Sequence, residues 1–219
     1  MECRSLAFVF PTEMVEKETR IGGVHLKPAH IASSADKHSV WKQKLLELEH
    51  IQDGLGKGLD PHIKETVAVL QLLGVHTQAS CEGHLDLGIA APWIDIQSPD
   101  LKLAELRRMY RELSDTADAL EADDVAAEAA YDEMHVILKE LERIEALEYK
   151  KLIPYLEEFY HRRIVSFEQR LMIDLRGRLS SQGALLQPAE EKETQALRLK
   201  EYQEEMCLFT QFLKNKFFS

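Results

Sequence analysis

The sequence predicts an α+β fold, a small mixed or antiparallel sheet with packed helices, interrupted by a long, coiled-coil-like helical hairpin. Three observations predict it. Short strand-like runs fall early and late in the chain, not in regular alternation with helices. Residues 101–162 hold a helical apolar period through two long stretches. A glycine- and proline-bounded helix at 60–74 leads straight into extended sequence. The corresponding organisation is a core formed by residues 1–100 and 163–219, with 101–162 as an inserted helical hairpin.

Taken in order, Ser5 to Phe10 is an apolar run stopped by Pro11 and reads as a buried strand. Residues 12–40 carry Gly22-Gly23, Pro28 and Ser33-Ser34 without periodicity, and read as loop. Trp41, Leu45, Leu48 and Ile51 recur at helical spacing, so a helix is expected at about 40–51. Glycine punctuation at 53–58 ends it. Asp60 reads as the N-cap of the next helix, Pro61 as its first residue, and Gly74 as its stop. Ile63, Val67, Leu70 and Leu73 form its apolar stripe. Val75 to Ser80 and Trp93 to Ile96 read as strands flanking a glycine-containing loop.

Leu103, Leu106, Tyr110, Leu113, Ala117 and Leu120 define the first arm of the hairpin. Met134, Ile137, Leu141, Ile144, Leu147 or Glu148, Leu152, Tyr155 and Phe159 define the second, close to a heptad. Glu121 to Asp124 would form the turn, with Asp123 or Asp124 as cap, and Pro154 would kink or restart the second arm. Ile164 to Phe167 and Arg170 to Leu175 read as strands, Gly177 as a turn, and 178–183 as further sheet. After Pro188 a last helix is expected at about 189–216, with Leu197, Tyr202, Met206, Phe209, Phe212 and Leu213 on one face.

Composition excludes some functions. The net charge of -11 repels phosphate backbones, so general duplex nucleic-acid binding is not expected. His161, Arg162 and Arg163, with Arg170, Arg176 and Arg178, are the one candidate for a local basic patch, and read otherwise as a solvated rim. Three cysteines, Cys3, Cys81 and Cys207, form no disulfide framework and fit a reducing compartment. No run approaches the roughly 18 apolar residues of a membrane helix, and the start does not read as a secretory signal, so a cytoplasmic protein is expected.

The one dense chemical signal is Ser80-Cys81-Glu82-Gly83-His84. A histidine near a thiol can hold a reactive thiolate, which would make Cys81 a nucleophile. Cys-x-x-His can also aim two donors at one metal ion, with His62, His76, Glu82 or Asp86 as local sources of further ligands. A third reading is a loop that binds a small anionic or nucleotide ligand through backbone N–H groups and Ser80. A fourth is a packed cysteine with a structural histidine. His25, His30 and His38 read as loop histidines, His135 and His161 as solvated, and Glu190-Glu191 and Glu204-Glu205 as helix surface.

Over about residues 59–97, the order helix, glycine, Thr77-x-x-Ser80-Cys81-x-Gly83 and strand resembles the core of the wybutosine-synthesis methyltransferase family. That family carries Ser-Ser-Cys-Ser-Gly-Arg after a similar helix. Ala79, Glu82 and His84 stand here where the family has its first Ser, third Ser and Arg, so the resemblance carries over Ser80, Cys81 and Gly83 alone. The stretch also resembles uncharacterised bacterial and phage proteins with a Ser-Cys-Glu-Gly-His motif.

The expected function is a domain that binds or acts on a small, nucleotide-like ligand at the Ser80–His84 loop. Cys81, His84 and Glu82 are the candidate catalytic residues; Ser80, Gly83, Trp93, Asp95 and Arg176 are the candidate ligand-binding residues. Two alternatives stand beside it. One is an interaction protein that forms a homodimer through 101–162; the other is a metal protein using Cys81 and His84. No cofactor follows from the residues.

Overall fold

The computed structural model describes residues 34–52, 56–86, 88–120, 125–174, 176–186 and 191–219. The expected strand at Ser5 to Phe10, the turn at Glu121 to Asp124 and the break at Pro188 lie outside them. Among the described residues the fold is α+β, and the sheet is antiparallel throughout.

Helix α1 (Ser34–Glu49) begins earlier than the periodicity predicts, inside sequence that reads as loop. Its apolar positions Trp41 and Leu48 are buried, which anchors the helix from its C-terminal half. Helix α2 (Pro61–Leu72) buries Ile63, Val67, Ala68, Val69 and Leu70, and Gly74 ends it with φ +80°. Strand β1 (Thr77–Cys81) turns back beside it and pairs with β2 (Trp93–Ile96). Helix α2 is about 18 Å long and β1 about 16 Å. The end of β1 therefore returns to the start of α2, and this closure creates the site described below.

Helices α3 (Leu101–Asp118) and α4 (Val125–Tyr149) pack against each other around Leu103, Leu106, Ile137, Leu141 and Ile144. Asp100 caps α3 through Lys102 N at 2.9 Å. Leu147 is exposed, whereas Glu148 is buried, so the second arm presents an acid inward at the position where the heptad leaves the choice open. Glu148 accepts hydrogen bonds from His76 N (2.8 Å) and Lys151 Nζ (2.7 Å), and its Oε1 lies 2.8 Å from the His76 ring Nδ1. The chain restarts at α5 (Ile153–Tyr160) with Pro154 in its first turn. Leu152, Phe159 and Tyr160 belong to the main core, not to the α3–α4 cluster.

The second half of the sheet is β3 (Leu171–Ile173) and β4 (Arg178–Ser181), giving the order β1-β2-β4-β3. Ile164 to Phe167 is not a strand: Ile164 and Phe167 are exposed, and the segment pairs with no strand among the described residues. Its β-branched and aromatic residues suit a strand, but pairing, not propensity, decides. The chain also leaves the sheet sooner than expected, turning at Gln182 into the short α6 (Gln182–Leu186).

Helix α7 (Lys192–Phe218) buries Met206, Phe209, Leu213 and Phe217 against α1, α2 and α5, and Tyr202 is buried near Gly183 of α6. Leu197 is 70% exposed and does not join that face. Glu205, expected on the surface, is buried; it accepts from Tyr160 Oη (2.9 Å) and Arg163 (2.6 Å). Tyr160 Oη in turn accepts from Leu171 N at 2.8 Å, so one acid ties α7, α5 and β3 together. Arg163, half-buried, therefore pairs with a buried acid instead of standing free on a solvated rim. One face of the sheet, with Ile94, Ile96, Leu171 and Leu179, completes the core with α2 and α7.

No described helix is long and apolar enough to cross a membrane.

Candidate functional site

The site lies where the end of β1 meets the start of α2. Asp60 has the position and extended backbone of an N-cap, yet its side chain makes no cap hydrogen bond. Its Oδ2 instead accepts from Glu82 N at 3.2 Å, and Lys57 Nζ lies 2.9 Å from Oδ1. The capping role passes to Glu82, whose Oε2 accepts from His62 N at 3.0 Å and also lies 3.0 Å from His62 Nδ1. Glu82 is thus committed to the helix end.

Gly83 fixes the path of the loop. Its φ is +88°, and a Cβ built there would stand 2.6 Å from Ala91 C and 2.7 Å from Leu199 Cδ1. Gly83 N donates to Cys81 Sγ at 3.4 Å, and Gln203 of α7 donates to Glu82 O at 3.0 Å. His84 N donates to Ile89 O at 3.4 Å and closes the following loop.

These contacts bring Asp60, Cys81 and His84 together, with one ligand atom of each within 4.8 Å of the others. His84 Nε2 stands 3.5 Å from Asp60 Oδ2. That Nε2 is buried and makes no hydrogen bond among the described residues. Burial pushes the Asp60 carboxyl up, but Lys57, the Glu82 N–H and nearby His84 outweigh it and hold the acid below its ordinary range. Burial pushes the Cys81 thiol up; the Gly83 N–H opposes this, and the Asp60 charge adds to the rise. In the absence of a bound cation beside Cys81, this direction disfavours the thiolate that a nucleophile requires.

The candidate ligand-binding residues do not share one place. Asp95 and Arg176 line a cleft of about 720 Å³ between the sheet, α6 and the α3–α4 pair. Ser80 lines a different cleft of about 430 Å³ beside α2 and α3, and its Oγ is buried without a hydrogen-bond partner among the described residues. Gly83 is packed beneath Ala91 and Leu199. Trp93 carries the Arg178 guanidinium 4.1 Å above its ring, and Arg178 makes a two-bond fork to Asp95 at 2.6 and 2.9 Å. Those three residues form a cross-strand cluster, because the register sets Asp95 opposite Arg178.

Asp60 is the functional candidate that motif reading missed. It stands 21 positions before Cys81 and has the local signature of an ordinary cap. The available signal was the length match between helix and returning strand.

No known protein family, curated protein or solved structure matches the chain.

Proposed function

We propose that this chain binds or transforms a small molecule at the Ser80–His84 loop, with Asp60 completing the site. The observation that carries this reading is the convergence of an acid, a thiol and an imidazole from the start of α2 and the end of β1. An Asp-His pair beside a half-buried thiol suits proton handling and polar recognition. Glu82 holds the loop to α2 through His62.

The test is thermal unfolding with a panel of nucleotides, S-adenosylmethionine and small acids, on wild type, Cys81→Ala and His84→Ala. A compound that raises the midpoint of wild type alone supports the site, since a ligand bound only to the native state stabilises it. If no compound shifts wild type, the reading falls.

A second reading is an interaction protein that pairs through 101–162. Val125, Val136 and Leu147 recur every eleven residues and are all exposed on α4, which favours it. The main apolar stripe of the arm is nevertheless filled by its own partner helix. A monomer mass in light scattering at high protein concentration would dismiss self-pairing.

A further inference from the structure

Resting on the site proposed above and deepening it, we infer that Asp60, Cys81 and His84 form a three-ligand site for a first-row divalent metal ion of the zinc type. The donors are one carboxylate oxygen, one sulfur and one imidazole nitrogen, the set that zinc accepts and that magnesium or calcium would not select. Spacing agrees. Two ligands about 2 Å from a tetrahedral ion stand roughly 3.3–3.7 Å apart, and His84 Nε2 is 3.5 Å from Asp60 Oδ2. His84 Nε2 is also buried with no hydrogen bond among the described residues, an arrangement that is costly unless something accepts its lone pair.

The surroundings orient the donors. Lys57 Nζ and Glu82 N hold the Asp60 carboxylate in place, with Oδ2 beside His84 Nε2. Gly83 N donates to Cys81 Sγ, and the left-handed turn at Gly83 places His84 three residues after Cys81. Asp60 and Cys81 lie on separate elements joined by the α2–β1 return, so the site is made by the fold and not by the motif alone. Three protein ligands leave a fourth position open to water or to a small molecule, as catalytic zinc sites do.

The experiment uses full-length protein carrying Cys3→Ser and Cys207→Ser, so that Cys81 is the only thiol, purified without metal affinity and washed with chelator. Zinc chloride and cobalt chloride are the probes. The expected result is one ion bound per chain and a cobalt–thiolate absorption in the near ultraviolet. Asp60→Asn and His84→Gln should each weaken binding by roughly tenfold or more, with circular dichroism in chelator confirming that both remain folded. No zinc uptake, uptake without the thiolate band, or equal affinity in those variants would each overturn the inference. The cobalt spectrum needs no site variant, so a poorly folding variant does not spoil the test. Small-molecule binding is measured separately in chelator: a compound that binds there while zinc does not leaves the proposed site standing and removes only the metal.

Discussion

Asp60 and Glu82 exchange caps across two elements: Glu82 N donates to Asp60, and His62 N of α2 donates to Glu82. The pattern resembles a capping box whose two halves sit 22 residues apart, and it locks the Ser80–His84 loop onto the helix start. Either change, Asp60→Ala or Glu82→Ala, should cost about 1 kcal/mol of stability in chelator. In a double-mutant cycle by urea unfolding the two should couple by about 0.5–1 kcal/mol. Strict additivity would show that the exchange does not act as a unit.

Gly83→Ala should be the most disruptive single change in the loop. The new Cβ meets Ala91 backbone as well as a side chain, and the positive φ adds strain. A loss of about 2 kcal/mol or more is expected by urea unfolding. A loss under about 0.5 kcal/mol would mean that the turn relaxes freely.

Cys81 and Cys207 should react at different rates with iodoacetamide at pH 7.5. Cys207 is exposed on α7, while Cys81 is half-buried, with its thiol pushed up by burial. Peptide mass spectrometry should find Cys207 labelled several-fold faster. The reverse order would restore an activated nucleophile at Cys81.

Glu148 gives a pH dependence of definite sign. Burial pushes its carboxyl up, but hydrogen bonds from Lys151 and from the His76 N–H and ring outweigh this and hold it below its ordinary range. The resulting stability is present above the unfolded-state value and is lost as pH falls through the lower folded value. Glu148→Gln should therefore cost about 1–2 kcal/mol at pH 7, and the gap should narrow as the pH drops below about 5. A gap independent of pH would exclude this carboxylate as the cause.

Glu205→Ala should cost about 2 kcal/mol, because Tyr160 Oη loses its acceptor in the core. Arg163 is 31% exposed and can turn to water, which keeps the loss below that of a fully enclosed pair. Chemical denaturation of the variant measures it, and a loss under about 0.5 kcal/mol would show that the network does not hold α7 to α5.

Much of this architecture was legible where local chemistry decides. Pro61 and Gly74 bracket α2, and Leu103, Leu106, Ile137 and Leu141 turn inward as their spacing requires. Reading failed where a distant partner decides. Ile164 to Phe167 has strand-forming residues but no neighbour to pair with among the described residues. Glu205 looks like solvated helix surface until Tyr160 and Arg163 arrive from another helix and its exit loop. Glu148 left a trace, an acid in an apolar heptad position, whose partners His76 and Lys151 the period could not supply. The Ser80–His84 loop was visible as a motif, while its third member, Asp60, depended on the reversal of the chain after Gly74.

The α3–α4 pair has its own apolar cluster, which shares no buried residue with the main core. The molecule therefore has two clocks. Amide protons along α3 and α4 can exchange through openings that leave α2, α7 and the sheet closed, whereas those of α2 and α7 wait for the whole protein to unfold. A partner that grips the helical pair would slow the first clock and leave the second unchanged, and a compound held between α2 and β1 would do the opposite.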